Sequence, residues 1–126
     1  MRLMRITRAR IDDARTAVRE YLKTEEQRIV HLAIKHCRDK HISMNVDTVA
    51  LDRITFFEVG DHYAETDGME ISLNRQKTYT ESTLFYTLLH ESLHYCIRRK
   101  SGSEVSEERE HKWMEDIDAR TIHESV

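Results

Sequence analysis

Between Thr80 and about Arg98 the chain places Leu84, Phe85, Leu88, Leu89, Leu93, Cys96 and Ile97 at spacings of three and four. Wound into a helix, these residues cover most of its circumference, and a helix that is apolar all round has to be buried. Whatever this chain folds into is therefore built around that helix, with other elements packed on it from several sides. A chain of 126 residues has room for one core. The expectation is a single domain, 1–126, with this helix crossing its middle. Thr78 and Glu81 have the form of a capping box for the helix start, and Arg98-Arg99-Lys100-Ser101-Gly102 is a polar stop with cations where the helix dipole favours them.

The flanking segments supply the packing partners. Residues 9–38 carry Ile11, Ala14, Val18, Leu22, Ile29, Leu32, Ala33 and Cys37 at helical spacing, with Thr24 and Gln27 as a second capping-box pair. Two helices, or one long helix interrupted near Thr24, are expected there. In the middle of the chain the period changes. Val46–Leu51 and Ile54–Val59 are rich in β-branched and aromatic residues, and Gly60-Asp61 reads as a turn before His62–Glu65. Asp67-Gly68 is a second turn before Met69–Leu73. These runs predict a small antiparallel sheet of three or four short strands. A last helix is expected from about Glu104 to Ile122, so the fold class is α+β: N-terminal helices, small sheet, buried helix, C-terminal helix.

The composition sets limits on function. No stretch approaches the length of apolar sequence that a membrane span requires. The basic start, MRLMRITRAR, lacks the continuous apolar segment of a secretory signal. Two cysteines, Cys37 and Cys96, are too few for a disulfide framework, and a cytoplasmic, intracellular location is the expectation. Charge is uneven: residues 1–40 hold 11 Lys and Arg against 6 Asp and Glu, whereas the remainder holds 9 against 17. The basic helical arm, 1–40, with Arg2, Arg5, Arg8, Arg10, Arg15 and Arg19, could touch nucleic acid, or it could be a solvated helix face that offsets an acidic body.

The chemistry lies on the buried helix, in His90-Glu91-Ser92-Leu93-His94. Residues four apart share a helix face one turn apart, so two imidazoles can hold one metal ion. Glu91, displaced round the helix, is placed to act on a metal-activated water as general base. Two histidines and a glutamate on so apolar a helix are costly without partners. A further ligand is expected from the last helix, whose core stripe of Met114, Ile117 and Thr121, with Trp113 beside it, extends back through Glu110 and Glu107 and leaves Glu108 outside. Glu107 has His111 one turn on, a polar partner of the kind that fixes a metal ligand.

The segment Met69–Asn74 followed by Thr87-Leu-Leu-His-Glu-Ser-Leu-His94 resembles the zincin metallopeptidases. The layout of helix, short sheet, active-site helix and ligand-bearing final helix is similar to minimal gluzincins and to SprT-like proteases. That resemblance implies a Zn2+ cofactor held by His90 and His94. It implies Glu107 as third ligand by the gluzincin pattern, with His111 as the alternative by the SprT-like pattern and Glu110 behind both. It also implies a protein or peptide substrate: proteins trapped on DNA by the SprT-like likeness, or a regulator by likeness to compact phage and toxin–antitoxin peptidases.

The leading reading is a zinc metallopeptidase in which the strand near Glu70–Leu73 pairs with an extended substrate and Glu91 moves the proton. Tyr79, Tyr86 and His62 are candidates for stabilising the oxyanion. The alternative is a catalytically inactive, zinc-bound binding module that uses a peptidase-like cleft. Both cysteines are poorly placed for a closed structural zinc site, and the intact glutamate between the histidines favours the enzyme.

Overall fold

A computed structural model describes residues 4–37, 48–66, 70–101 and 106–123. The described residues begin with a two-residue strand, β1 (Met4–Arg5), and then helix α1 (Arg8–Thr24), whose first turn is capped by Thr7 accepting from the Arg10 N–H at 3.3 Å. The expected interruption falls at Glu25, which leaves helical geometry while its N–H still reaches the Tyr21 carbonyl. Helix α2 (Glu26–Cys37) follows. The two amphipathic segments are thus separate helices, free to pack on different neighbours.

The middle of the chain departs from expectation in two ways. Val46 and Asp47 lie outside the described residues, and the rest of that run forms a 3-10 turn, Val49–Asp52, which buries Ala50 and Leu51. Strands β2 (Ile54–Phe57), β3 (Ala64–Thr66) and β4 (Ile71–Asn74) do form, but in the order β2-β4-β3. β3 and β4 are antiparallel, while β2 pairs with β4 in parallel, Ile54 opposite Ile71 and Phe57 opposite Asn74. The sheet is mixed, not wholly antiparallel. The reason lies in burial: Ile71, Leu73 and Asn74 are fully buried, so β4 needs a neighbour on either side. A fifth short strand, β5 (Thr78–Tyr79), pairs antiparallel with β1.

Helix α3 (Glu81–Ser101) is the predicted central helix. Its N-cap is Thr80, whose Oγ1 accepts from the Thr83 N–H at 2.9 Å, and not Thr78, which is committed to β5. Leu84, Leu88, Leu89, Leu93, Tyr95 and Cys96 are all buried. α1 packs on one side of α3 through Ile11, Val18 and Leu22, and the sheet covers another. The expected last helix is divided: α4 (Glu107–Ile117) ends at Asp118, whose backbone is extended, and a single turn, α5 (Arg120–His123), follows. α4 packs on α2, where the buried Trp113 indole donates to the Ile29 carbonyl at 3.0 Å. Among the described residues no helix is long and apolar enough to cross a membrane.

Candidate metal centre

An imidazole binds a metal through one nitrogen, and the atom bonded to the other nitrogen decides which. On α3, His90 and His94 are 7% and 3% exposed. The Nδ1 of His90 lies 3.0 Å from the Thr121 carbonyl oxygen, which can only accept, so Nδ1 carries the proton and Nε2 is left with its lone pair. The Nδ1 of His94 is 2.5 Å from Oε1 of the buried Glu110, which likewise leaves Nε2 for a ligand. The two Nε2 atoms are 3.0 Å apart, and the Nε2 of His111, from α4, is 3.2 Å from that of His94. Three nitrogens at tetrahedral positions around one zinc ion, each about 2.0–2.1 Å from it, lie about 3.3 Å from one another. The donor set His90, His94 and His111 therefore fits a divalent metal ion, and its ligand atoms all lie within 4.8 Å of one another.

The three rings need each other's company explained. Burial, followed by the neighbouring His94, pushes the His90 pKa down to about 3, so His90 is a neutral imidazole near pH 7. A metal ion would turn the same close approach of ring nitrogens into a favourable one, and nitrogen ligands without thiolates suit zinc.

The final helix carries a different pattern from the one its core stripe predicts. Glu110 is buried, but as the partner of His94 and not as a ligand in the triad. Glu107 is not directed inward: its side chain is 69% exposed, at the rim, 3.8 Å from His111 Nε2. His111, one turn further into the helix and half as exposed as Glu107, is the residue that reaches His94. The physical reason is the position of the helix start. Ser106 caps α4, accepting from Arg109, so Glu107 stands in the first turn, at the open end of the helix and largely exposed.

These groups line a cleft of about 610 Å³ between α3, α4 and the sheet. Glu91, 7% exposed, lies on its wall beside the two histidines. The opposite wall is β3 and the loop before it, Asp61 to Thr66. Strand β4, expected to receive an extended substrate, is the central strand with a neighbour on both sides; β3 is the edge strand that faces the cleft. Of the three tyrosine and histidine candidates, only His62 lines the cleft, stacked on Phe57 and 2.9 Å from Glu65. Tyr79 is fully buried, its hydroxyl donating to the Tyr63 carbonyl at 2.8 Å, and burial raises its pKa. Tyr86 lies against Asp118 and Arg120.

Two contributors had no distinct signature in the sequence. Thr121 acts through its carbonyl, which any residue possesses, and is placed by the break at Asp118 and by its own hydroxyl, bonded to the Met114 and Asp118 carbonyls. Asn74 is buried and holds the cleft-wall loop, its Nδ2 donating to the Gly60 and His62 carbonyls at 3.2 and 3.0 Å. Gly60 itself sits at φ 84°, where a side chain is strained and a Cβ would meet the His62 ring.

The buried His90-Glu91-x-x-His94 with His111 is consistent with a zincin-type metal site. Comparisons with protein families, with curated proteins and with solved structures find no match to this chain.

Proposed function

We propose that this protein is a zinc-dependent peptidase in which His90, His94 and His111 hold the ion and Glu91 is the general base. The observation that carries this reading is the convergence of three imidazole Nε2 atoms, 3.0 and 3.2 Å apart, beside a glutamate in an open cleft. Zinc, when bound, would polarise a substrate carbonyl and lower the pKa of water toward ~7. Glu91 then takes a proton from water in the cleft and delivers it to the leaving amine. The Thr121 carbonyl and the Glu110 carboxylate keep His90 and His94 in the tautomer and orientation a ligand requires. An extended polypeptide would lie along the edge strand β3, its backbone adding to the sheet, with its carbonyl presented to the histidines. Of the candidates for meeting a developing oxyanion His62 alone lines the cleft, and since its Nε2 faces the Glu65 carboxylate at 2.9 Å it would have to exchange that bond in order to donate.

The test combines metal analysis with cleavage. Purified protein should contain about one zinc per chain, and a denatured, labelled casein should be cut. Glu91→Gln should keep the zinc and lose cleavage. Zinc retained in full by both His90→Ala and His94→Ala overturns the assignment of the centre. Zinc binding without cleavage of any unfolded protein would favour a binding module.

A further inference from the structure

The cleft has a charge as well as a shape. Asp61 and Glu65 stand on the β3 wall, and Glu107 stands at the mouth on the α4 side, all three exposed. Among the described residues no lysine or arginine lines it. Lys77 does not line it but lies 5.4 Å from the ring of Tyr63, which does. The molecule does not lack cations elsewhere. A second cleft, of about 590 Å³ between α1 and β2, has Arg8, Arg15 and Arg75 on its walls. Asp12 and Asp52 line that second cleft too, so its charges are mixed, whereas the cleft of the metal centre carries carboxylates with no lysine or arginine among its described lining residues.

Acidic groups on both walls, with β3 as an edge that can pair with an extended chain, have a specific consequence. A backbone laid along β3 carries its side chains past Asp61 and Glu65 on one side of the histidines and past Glu107 on the other. We infer that the cleft selects polypeptides carrying lysine or arginine within a few residues of the bond presented to the histidines, and rejects acidic ones. This rests on the peptidase reading and adds its substrate class. A long, flexible lysine or arginine reaches a carboxylate at the rim while the backbone stays on the strand. An acidic side chain in the same place meets a like charge in a cleft with low-dielectric walls, which focus the field.

The experiment uses Glu91→Gln, zinc-loaded, so that binding is read without turnover. Two fluorescein-labelled nonapeptides, identical except that two lysines in one are glutamates in the other, are titrated by fluorescence anisotropy. Work at pH ~8 keeps ordinary imidazoles neutral. The lysine peptide should bind roughly tenfold or more tightly at ~50 mM salt, and the difference should shrink as salt screens the rim. Adding Asp61→Asn, Glu65→Gln and Glu107→Gln should abolish the preference. Glu20→Gln, Glu108→Gln and Glu115→Gln, which remove the same charge from exposed positions that do not line the cleft, should leave it. Equal affinities, a preference for the glutamate peptide, or a preference lost equally in both triple variants would each overturn the inference. Cleavage of the two peptides by the unmodified protein is measured alongside. Both cut at equal rates would leave the peptidase and remove the selectivity; neither cut, with the preference still binding to the cleft, would leave the selectivity and remove the peptidase.

Discussion

A histidine presents a lone pair to a metal only when its other nitrogen has somewhere to put a proton, so the partners of the ligands are as testable as the ligands. Glu110 meets His94 Nδ1 at 2.5 Å with both groups buried. Glu110→Gln keeps the volume and loses the charge, and should lower zinc affinity by about 10–100-fold, the usual effect of such a partner, measured by competition with a chelator. His111→Ala should weaken binding more than Glu107→Ala, because His111 faces His94 Nε2 whereas Glu107 is at the solvent rim. The reverse ranking would return the third ligand to Glu107.

At the scale of elements, the joint between α4 and α5 deserves a test of its own, because it delivers the Thr121 carbonyl to His90. Asp118 caps the joint: its carboxylate accepts from the Arg120 backbone N–H and guanidinium at 2.9–3.0 Å. These bonds from Arg120 hold the Asp118 carboxyl below its ordinary range. A folded pKa below the unfolded one gives stability that is present above about 3.9 and is lost as pH falls through the lower folded value. Asp118→Asn should therefore destabilise the metal-free protein at pH 7 by about 1 kcal/mol or less, since Arg120 is largely exposed. The difference from the unmodified chain should vanish in acid. Urea midpoints measured across pH would show it, and a constant difference would mean the carboxylate charge is irrelevant to the joint. Trp113→Ala, by contrast, removes a fully buried side chain and its bond to the Ile29 carbonyl, and should cost about 3–5 kcal/mol at any pH.

For the whole molecule, the question is what the basic N-terminal segment does. α1 is not a detached arm. Arg10 donates to the Tyr79 carbonyl at 3.1 Å, Arg15 to the Leu51 carbonyl at 3.2 Å, and Arg19 pairs with Asp52 at 2.7 Å. Three of the arginines suspected of meeting phosphates thus tie α1 to the segments around the sheet, and Arg2 lies outside the described residues. Val18 and Leu22 are fully buried beside α3. Removal of residues 1–24 should therefore collapse the fold and abolish zinc binding, seen as loss of cooperative thermal unfolding. A truncated chain that still unfolded cooperatively and held zinc would make this segment an accessory.

The central helix and its two histidines were legible from residues alone, because helical periodicity is local and fixes which side chains share a face. The same local rule placed α1, α2 and most strands to within a few residues. It failed where position depends on partners distant in the chain. β2 pairs parallel with β4 because the most apolar strand takes the middle of the sheet, a choice no turn residue announces. Thr78 looked like a cap and became a strand, because β1 pairs with it from more than seventy residues away. The third nitrogen of the centre was named among the alternatives but ranked second, since Glu107 and His111 are one turn apart on the same helix and periodicity cannot separate them. The docking of α4 against α2, anchored by Trp113, together with the helix start at Ser106, places His111 over the pair and leaves Glu107 in water. The sequence determines which faces are apolar and which residues can ligate; the tertiary structure decides which of them meet.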